Sequence, residues 1–276
     1  MGVIMKKKIY VTVLATVIAV CSGIFVNFTI TDNTSLTSNE TSVYDTLDNK
    51  GIGWGIKKVK NSEPEVPASQ QELLSKYNSF YMDKAKQKKL YLTFDEGYEN
   101  GYTAKILDTL KEKNVSAAFF ITGPYAKEQT ELINRMINEG HIVGNHTVNH
   151  PNLPKLSDSN KISEELTNMN NLVMELYNYE MKYMRPPEGE YSEKVLSIAK
   201  DLGFKTVFWS FAYKDWDRNA QNGKEYAFSQ ITPYIHDGAI LLLHAVSKDN
   251  ADALGDIIDY AHSCGYDFCS LDEINT

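Results

Sequence analysis

From Leu90 to the C-terminus the chain alternates short apolar runs with stretches at helical spacing, and few architectures accept that rhythm. The apolar runs at 90–94, 115–121, 141–144, 183–185, 204–209, 239–243 and 266–269 read as strands. Helical patterns separate most of them, at 102–113, 131–139, 158–179, 192–202, 225–236 and 251–264. Gly140, Gly203, Gly238 and Gly265 stand at helix-to-strand junctions, where a left-handed cap is wanted. Strands alternating with helices build a parallel sheet. Six or seven such units in under 200 residues predict an α/β fold, a distorted (β/α)7 barrel, smaller than the usual eight-unit form. Reactive groups in such barrels sit at the C-terminal ends of the strands.

The N-terminal third has a different character. Lys6, Lys7 and Lys8 precede an uncharged run from Ile9 to Ile30, 22 residues long. About 20 apolar residues span a hydrocarbon core, so 1–30 reads as a signal-anchor, with a cleaved signal peptide as the rival. The lysines should stay cytoplasmic, which places the rest outside, membrane-anchored or secreted. Residues 31–50 are rich in Thr, Ser, Asn and Asp and read as a flexible stalk. Residues 51–88 hold Trp54 between two glycines and a helical piece at 70–85, and read as an extension packed on the barrel. The domain proper spans 89–276.

A formal net charge of −8 offers no basic face, which argues against nucleic acid as a partner. Only Cys264 and Cys269 lie beyond the apolar run. Export would permit a disulfide between them, and two free thiols fit equally well. The expected state is a monomer.

The expected strand ends carry the polar chemistry. Asp95 and Glu96 close the first strand, and adjacent side chains can point in different directions, one towards a cation and one towards a proton. Each such signal has a bland counterpart; this one could be a solvated acidic turn. His146 and His150 follow the third strand, between Gly144 and Pro151. Two imidazoles four apart can share a metal, with Glu96 the natural third donor of a three-ligand site that keeps a position open for water. Arg185 leaves the fourth strand into Pro186-Pro187-Glu188-Gly189, a rigid turn, where it can pair with a carboxylate and keep it ionised. Asp215 and Trp216 follow the fifth strand, and His244 ends a strongly apolar sixth, placed as a general acid needs. Singly these are weak; accidents would scatter over both barrel ends, whereas these gather at one.

In this order the five segments resemble the motifs of polysaccharide deacetylases with a NodB-type domain, carbohydrate esterase family 4, over about residues 89 to 274. Thr93 to Thr103, Gly53-Trp54-Gly55 and His244 to Asp252 narrow the resemblance to the sporulation branch, the delta-lactam-forming de-N-acetylases of spore-cortex peptidoglycan. The resemblance implies a substrate, N-acetylmuramic acid already stripped of its stem peptide, in the peptidoglycan glycan strand. The location would be the forespore intermembrane space. It implies Asp95 as general base, Arg185 as its tether, and Glu96, His146 and His150 around a divalent metal ion, zinc first, with cobalt or manganese as alternatives. His244 would be the general acid, oriented by Asp215. A backbone N–H near Glu188 would face the oxyanion. Glu188, Tyr191, Trp216 and Leu242 would bind substrate, the last two around the acetyl methyl. One departure bears on the metal: the family pattern has Asp directly after the base, and this chain has Glu96. Ala245 is a second departure, where many relatives carry a polar residue.

Two rival readings remain from the residues. One is an N-acetylglucosamine deacetylase of wall glycan or chitin-like oligomers. The other is a catalytically silent glycan-binding module, which Glu96 motivates and the matched acid and base oppose.

Overall fold

The computed structural model describes residues 43–85 and 87–274. The expected anchor and the start of the expected stalk lie outside them. Among the described residues no helix is long and apolar enough to cross a membrane.

An N-terminal layer comes first, with β1 (Ile52–Gly53), the hairpin strands β2 (Lys57–Val59) and β3 (Ser62–Glu65), helix α1 (Ala68–Lys76) and β4 (Ser79–Phe80). Alternation then begins with β5 (Lys89–Glu96), α2 (Thr103–Glu112), β6 (Ala117–Ile121), α3 (Gly123–Glu128), α4 (Thr130–Asn138), β7 (Ile142–Asn145) and α5 (Ser159–Tyr177). It continues through β8 (Tyr183–Met184), β9 (Glu190–Tyr191), α6 (Glu193–Asp201), β10 (Lys205–Val207), α7 (Lys224–Ile231), β11 (Ala239–His244), α8 (Lys248–Ser263) and β12 (Asp267–Phe268). The main sheet runs β11-β5-β6-β7-β8-β10-β4, with β12 also paired to β5. Its pairings are parallel. The sheet curls: past β10 the chain meets β11 through a single parallel bridge, Phe211 to Leu241, rather than a full ladder.

Side-chain alternation along β5 explains the two cores. Leu90, Leu92 and Phe94 pack under the helices with Ile106, Leu110, Phe119 and Leu254. Tyr91 turns to the concave side, where it meets Phe80, Phe120, Tyr183, Val207 and Ile240, with Leu271 and Ile274 of the C-terminal segment. The next concave positions are Thr93 and Asp95. The polar site thus stands on an apolar floor.

The helices start where the sequence supplies caps. Ser192 accepts from Val195 N at 3.1 Å before α6, and Ser247 from Asn250 N at 3.3 Å before α8. Asn178, at φ 51°, closes α5. The helix expected at 70–85 is corrected: α1 stops at Lys76, Asn78 turns left-handed at φ 52°, and Ser79–Phe80 joins the sheet edge beside β10. The short α3 was not foreseen.

The N-terminal layer is held by Trp54, whose ring lies 4.8 Å from Phe208 and whose Nε1 donates to the Trp209 carbonyl at 2.9 Å. β1 pairs antiparallel with β9. The last residues of the expected stalk lie along the barrel: Asn49 donates to the carbonyls of Pro154 and Leu156 at 3.0 and 3.1 Å and accepts from Ser192 Oγ at 2.7 Å. Cys264 and Cys269 are both free.

Two junction glycines separate backbone strain from steric fit. Gly203 (φ +86°) has nothing within 4 Å of where a Cβ would stand, whereas at Gly238 (φ +76°) a Cβ would stand 2.1 Å from the Asp83 carbonyl oxygen. Gly203→Ala should cost about 1–2 kcal/mol, the left-handed penalty alone. Gly238→Ala should cost clearly more, because the Asp83 backbone must also move. Equal losses in denaturant unfolding would contradict this packing.

Candidate active site

Asp95, the last but one residue of β5, lies on the concave face, 8% exposed. Arg185, fully buried, donates from Nη1 to Asp95 Oδ1 at 2.7 Å. Three further donors are used: Nε to the Val207 carbonyl at 3.0 Å, and Nη2 to Thr93 Oγ1 at 3.0 Å and the Phe208 carbonyl at 3.3 Å. The Phe120 ring lies 4.2 Å from the guanidinium carbon. Burial works to raise the Asp95 carboxyl, but the charge of Arg185 and its hydrogen bond outweigh it and hold the group below its ordinary value.

His146, also buried, leaves β7 with its Nδ1 at 2.8 Å from the Arg185 carbonyl oxygen. A carbonyl can only accept, so Nδ1 carries the proton and Nε2 presents a lone pair. Burial drives the His146 pKa down to about 4, leaving it neutral near pH 7. Its Nε2 lies 3.6 Å from Asp95 Oδ2, which is therefore an approach of two acceptors and not an ion pair. His150 is exposed, its ring centre 4.9 Å from that of His146 and its φ +54°.

On the adjacent strand, His244 ends β11 as the register partner of Asp95. Its Nδ1 donates to Asp215 Oδ1 at 2.7 Å, and its backbone N–H to Asp215 Oδ2 at 2.8 Å. Asn250, in the first turn of α8, donates to the same Oδ2 at 2.6 Å and fixes the carboxylate from behind. Burial works to lower the His244 pKa, but Asp215 outweighs it and raises the ring above its ordinary value. The Trp216 ring stands 5.7 Å from it.

These groups line a cleft of two lobes. One, about 600 Å³, is walled by Glu188, Gly189, Trp209, Ala212, Tyr213 and Leu242. The other, about 410 Å³, is walled by Gly97, Tyr98, Thr122, Pro124, Val148 and Asn149 among others. Asp95, His146, His150, Trp216 and His244 belong to both. Glu188, strained at φ 60° between Pro187 and Gly189, accepts from Asn152 Nδ2 at 3.0 Å.

Two expected site residues stand elsewhere. Glu96 is fully buried and lines neither lobe, because alternation turns it to the face opposite Asp95. Neither of its oxygens has a hydrogen-bond partner, and burial, with Glu99 and Asp95 nearby, pushes its carboxyl well above the usual range. Among the described residues no trio of His, Cys, Asp or Glu is placed to hold a metal. The expected triad of Glu96, His146 and His150 is therefore not assembled, although the Nε2 of His146 beside His150 and the Asp95 carboxylate has the donor chemistry of an imidazole-ligated divalent ion. Tyr191 is buried in the core against Phe208 (4.9 Å) and Trp54 (6.4 Å), covered by β1, and lines neither lobe. Thr93, Trp209, Tyr213 and Asn250 enter the site without having been singled out. Asn250 had one signal, its place three residues after the Ser247 cap at the mouth of β11.

With this geometry in view, a family model described as polysaccharide deacetylase matches residues 82–207. The peptidoglycan-N-acetylmuramic acid deacetylase PdaA of Bacillus subtilis is 46% identical over 228 residues, 82% of this chain and 86% of that relative. The chain belongs to the polysaccharide deacetylase family. The solved structure of Bacillus subtilis PdaA, a family 4 carbohydrate esterase, matches with a TM-score of 0.80 at 45% identity, over 83% of this chain and 98% of that one. A family 4 carbohydrate esterase from Bacillus anthracis matches with a TM-score of 0.70 at 44% identity, over 83% and 97%. The protein is thus an enzyme, a polysaccharide deacetylase that hydrolyses amide bonds.

The Asp215–His244 contact makes a pH prediction. A general acid must be protonated, so activity is lost as pH rises through its pKa. Because the His244 pKa is raised, the alkaline limb of kcat/KM should lie above about 6.5, the ordinary histidine value. Asp215→Asn removes the raising charge and leaves burial, so the limb should move down. A limb that stays in place would remove His244 from the acid role.

Proposed function

We propose that the protein hydrolyses the N-acetyl group of N-acetylmuramic acid in peptidoglycan whose stem peptides have been removed. The freed amine then closes on the lactyl carboxylate to give the muramic delta-lactam of spore cortex. The observation that carries the chemistry is the pairing within one cleft: a carboxylate kept ionised by Arg185 stands on the strand beside an imidazole kept protonatable by Asp215. The similarity to a peptidoglycan-N-acetylmuramic acid deacetylase supports the substrate.

Asp95 takes a proton from water as its oxygen adds to the acetyl carbon. His244 Nε2, free because Nδ1 is committed to Asp215, gives a proton to the departing nitrogen as the C–N bond breaks. Acetate and the amine leave. A divalent ion at His146 and His150, zinc before cobalt or manganese, would lower the pKa of water and polarise the carbonyl. The backbone at Glu188 would help receive the developing oxyanion. Leu242 and Trp216 wall the space for the acetyl methyl. The enzyme would act as a monomer outside the cytoplasm, in the forespore intermembrane space, joined to the membrane by its N-terminal segment.

The test supplies the full-length protein with glycan strands whose muramic residues lack peptides, and reads the digest by mass spectrometry. Loss of acetyl, followed by loss of water, is expected. Activity confined to N-acetylglucosamine oligomers would discard the substrate, and silence on both would favour a binding module.

A further inference from the structure

A peptide-free muramic residue differs from N-acetylglucosamine by a lactyl ether beside the acetamide-bearing carbon, ending in a free carboxylate. An enzyme selective for it needs a cation near the acetamide, and no Lys or Arg lines either lobe. The cations around the cleft are mostly committed. Arg185 is buried and bonded to Asp95. Lys58 donates to the Ala212 carbonyl at 3.1 Å and lies against the rings of Phe211 and Tyr234. Lys214 pairs with Asp217 at 3.8 Å.

Arg218 differs from all three. It is exposed, two residues after Trp216, and its guanidinium carbon lies 4.9 Å from the Tyr98 ring centre. Tyr98 is 44% exposed and walls the smaller lobe with Asp95, His146 and His244. Among the described residues no carboxylate pairs with Arg218. A guanidinium resting on an aromatic face keeps its edge donors open, and a planar fork matches a carboxylate with two parallel bonds. At the opposite side, Glu188 walls the larger lobe and would repel a carboxylate there.

We propose that Arg218, positioned by Tyr98, is a specificity residue that binds the lactyl carboxylate of the muramic residue being deacetylated. This rests on the substrate reading above. A carboxylate held at the Tyr98 lobe fixes which way the sugar lies, with its acetamide over Asp95 and His244.

The test compares wild type with Arg218→Ala on two peptide-free strands, one with free lactyl carboxylates and one with them methyl-esterified. Thermal unfolding confirms that the variant is folded. Wild type should prefer the free acid, and Arg218→Ala should lose about five- to tenfold of that preference, mainly through KM. Arg218→Lys should recover part of it, since it keeps the charge and loses the fork. An unchanged preference in Arg218→Ala, with wild type active, would overturn the role of Arg218 alone. A wild type inactive on both strands would overturn the substrate and the proposal together.

Discussion

The contact between Arg185 and Asp95 constrains this structure more than any other. A guanidinium with no exposed surface is tolerable only if its charge is balanced and its donors are used. Here the balance comes from β5, the carbonyls from the end of β10 and just beyond it, and the arginine itself from the end of β8. Those segments must therefore meet in one register. Removing one partner of such a buried pair typically costs about 3–5 kcal/mol. The same contact sets the chemistry, because it keeps a carboxylate ionised where burial alone would protonate it.

The second polar centre answers the first. Asp215 receives the ring and the backbone N–H of His244, and Asn250 locks it from α8. One carboxyl is pulled down by a cation and one imidazole is pushed up by an anion, within a single cleft. Environments that drive two titratable groups apart in this way separate base from acid. His146 belongs to the first of these centres, neutral, with its Nδ1 proton donated to the Arg185 carbonyl and its Nε2 3.6 Å from Asp95. The tether of the base thus also orients the imidazole next to it.

Much of this was legible in the sequence because strand ends are where barrels place reactive groups. Asp95, His146, His150, Arg185, Asp215 and His244 could be found by marking polar residues after apolar runs, and the structure gathers them. Glu96 shows the limit of that procedure. Counting it a ligand used its nearness to Asp95 in sequence, while strand alternation sends it behind the sheet. Tyr191 depended on information far away in the chain, since β1 covers it and Trp54 packs against it. Thr93 acts only through Arg185, so no pattern of its own marks it, and Asn250 is marked only by its place after the Ser247 cap. β4 was hidden because Ser79 and Phe80 fall within the helical spacing that α1 begins, and only the left-handed turn at Asn78 separates them from it.

The central claim is that Asp95, ionised by Arg185, is the base. The most direct measurement is acetate release by Asp95→Asn on peptide-free glycan strands, beside its unfolding curve. Arg185 keeps its contacts to Thr93, Val207 and Phe208 in that variant, so cooperative unfolding should persist. The account predicts a folded protein whose turnover has fallen by about 10²–10⁴. A folded variant with near-normal turnover would contradict it.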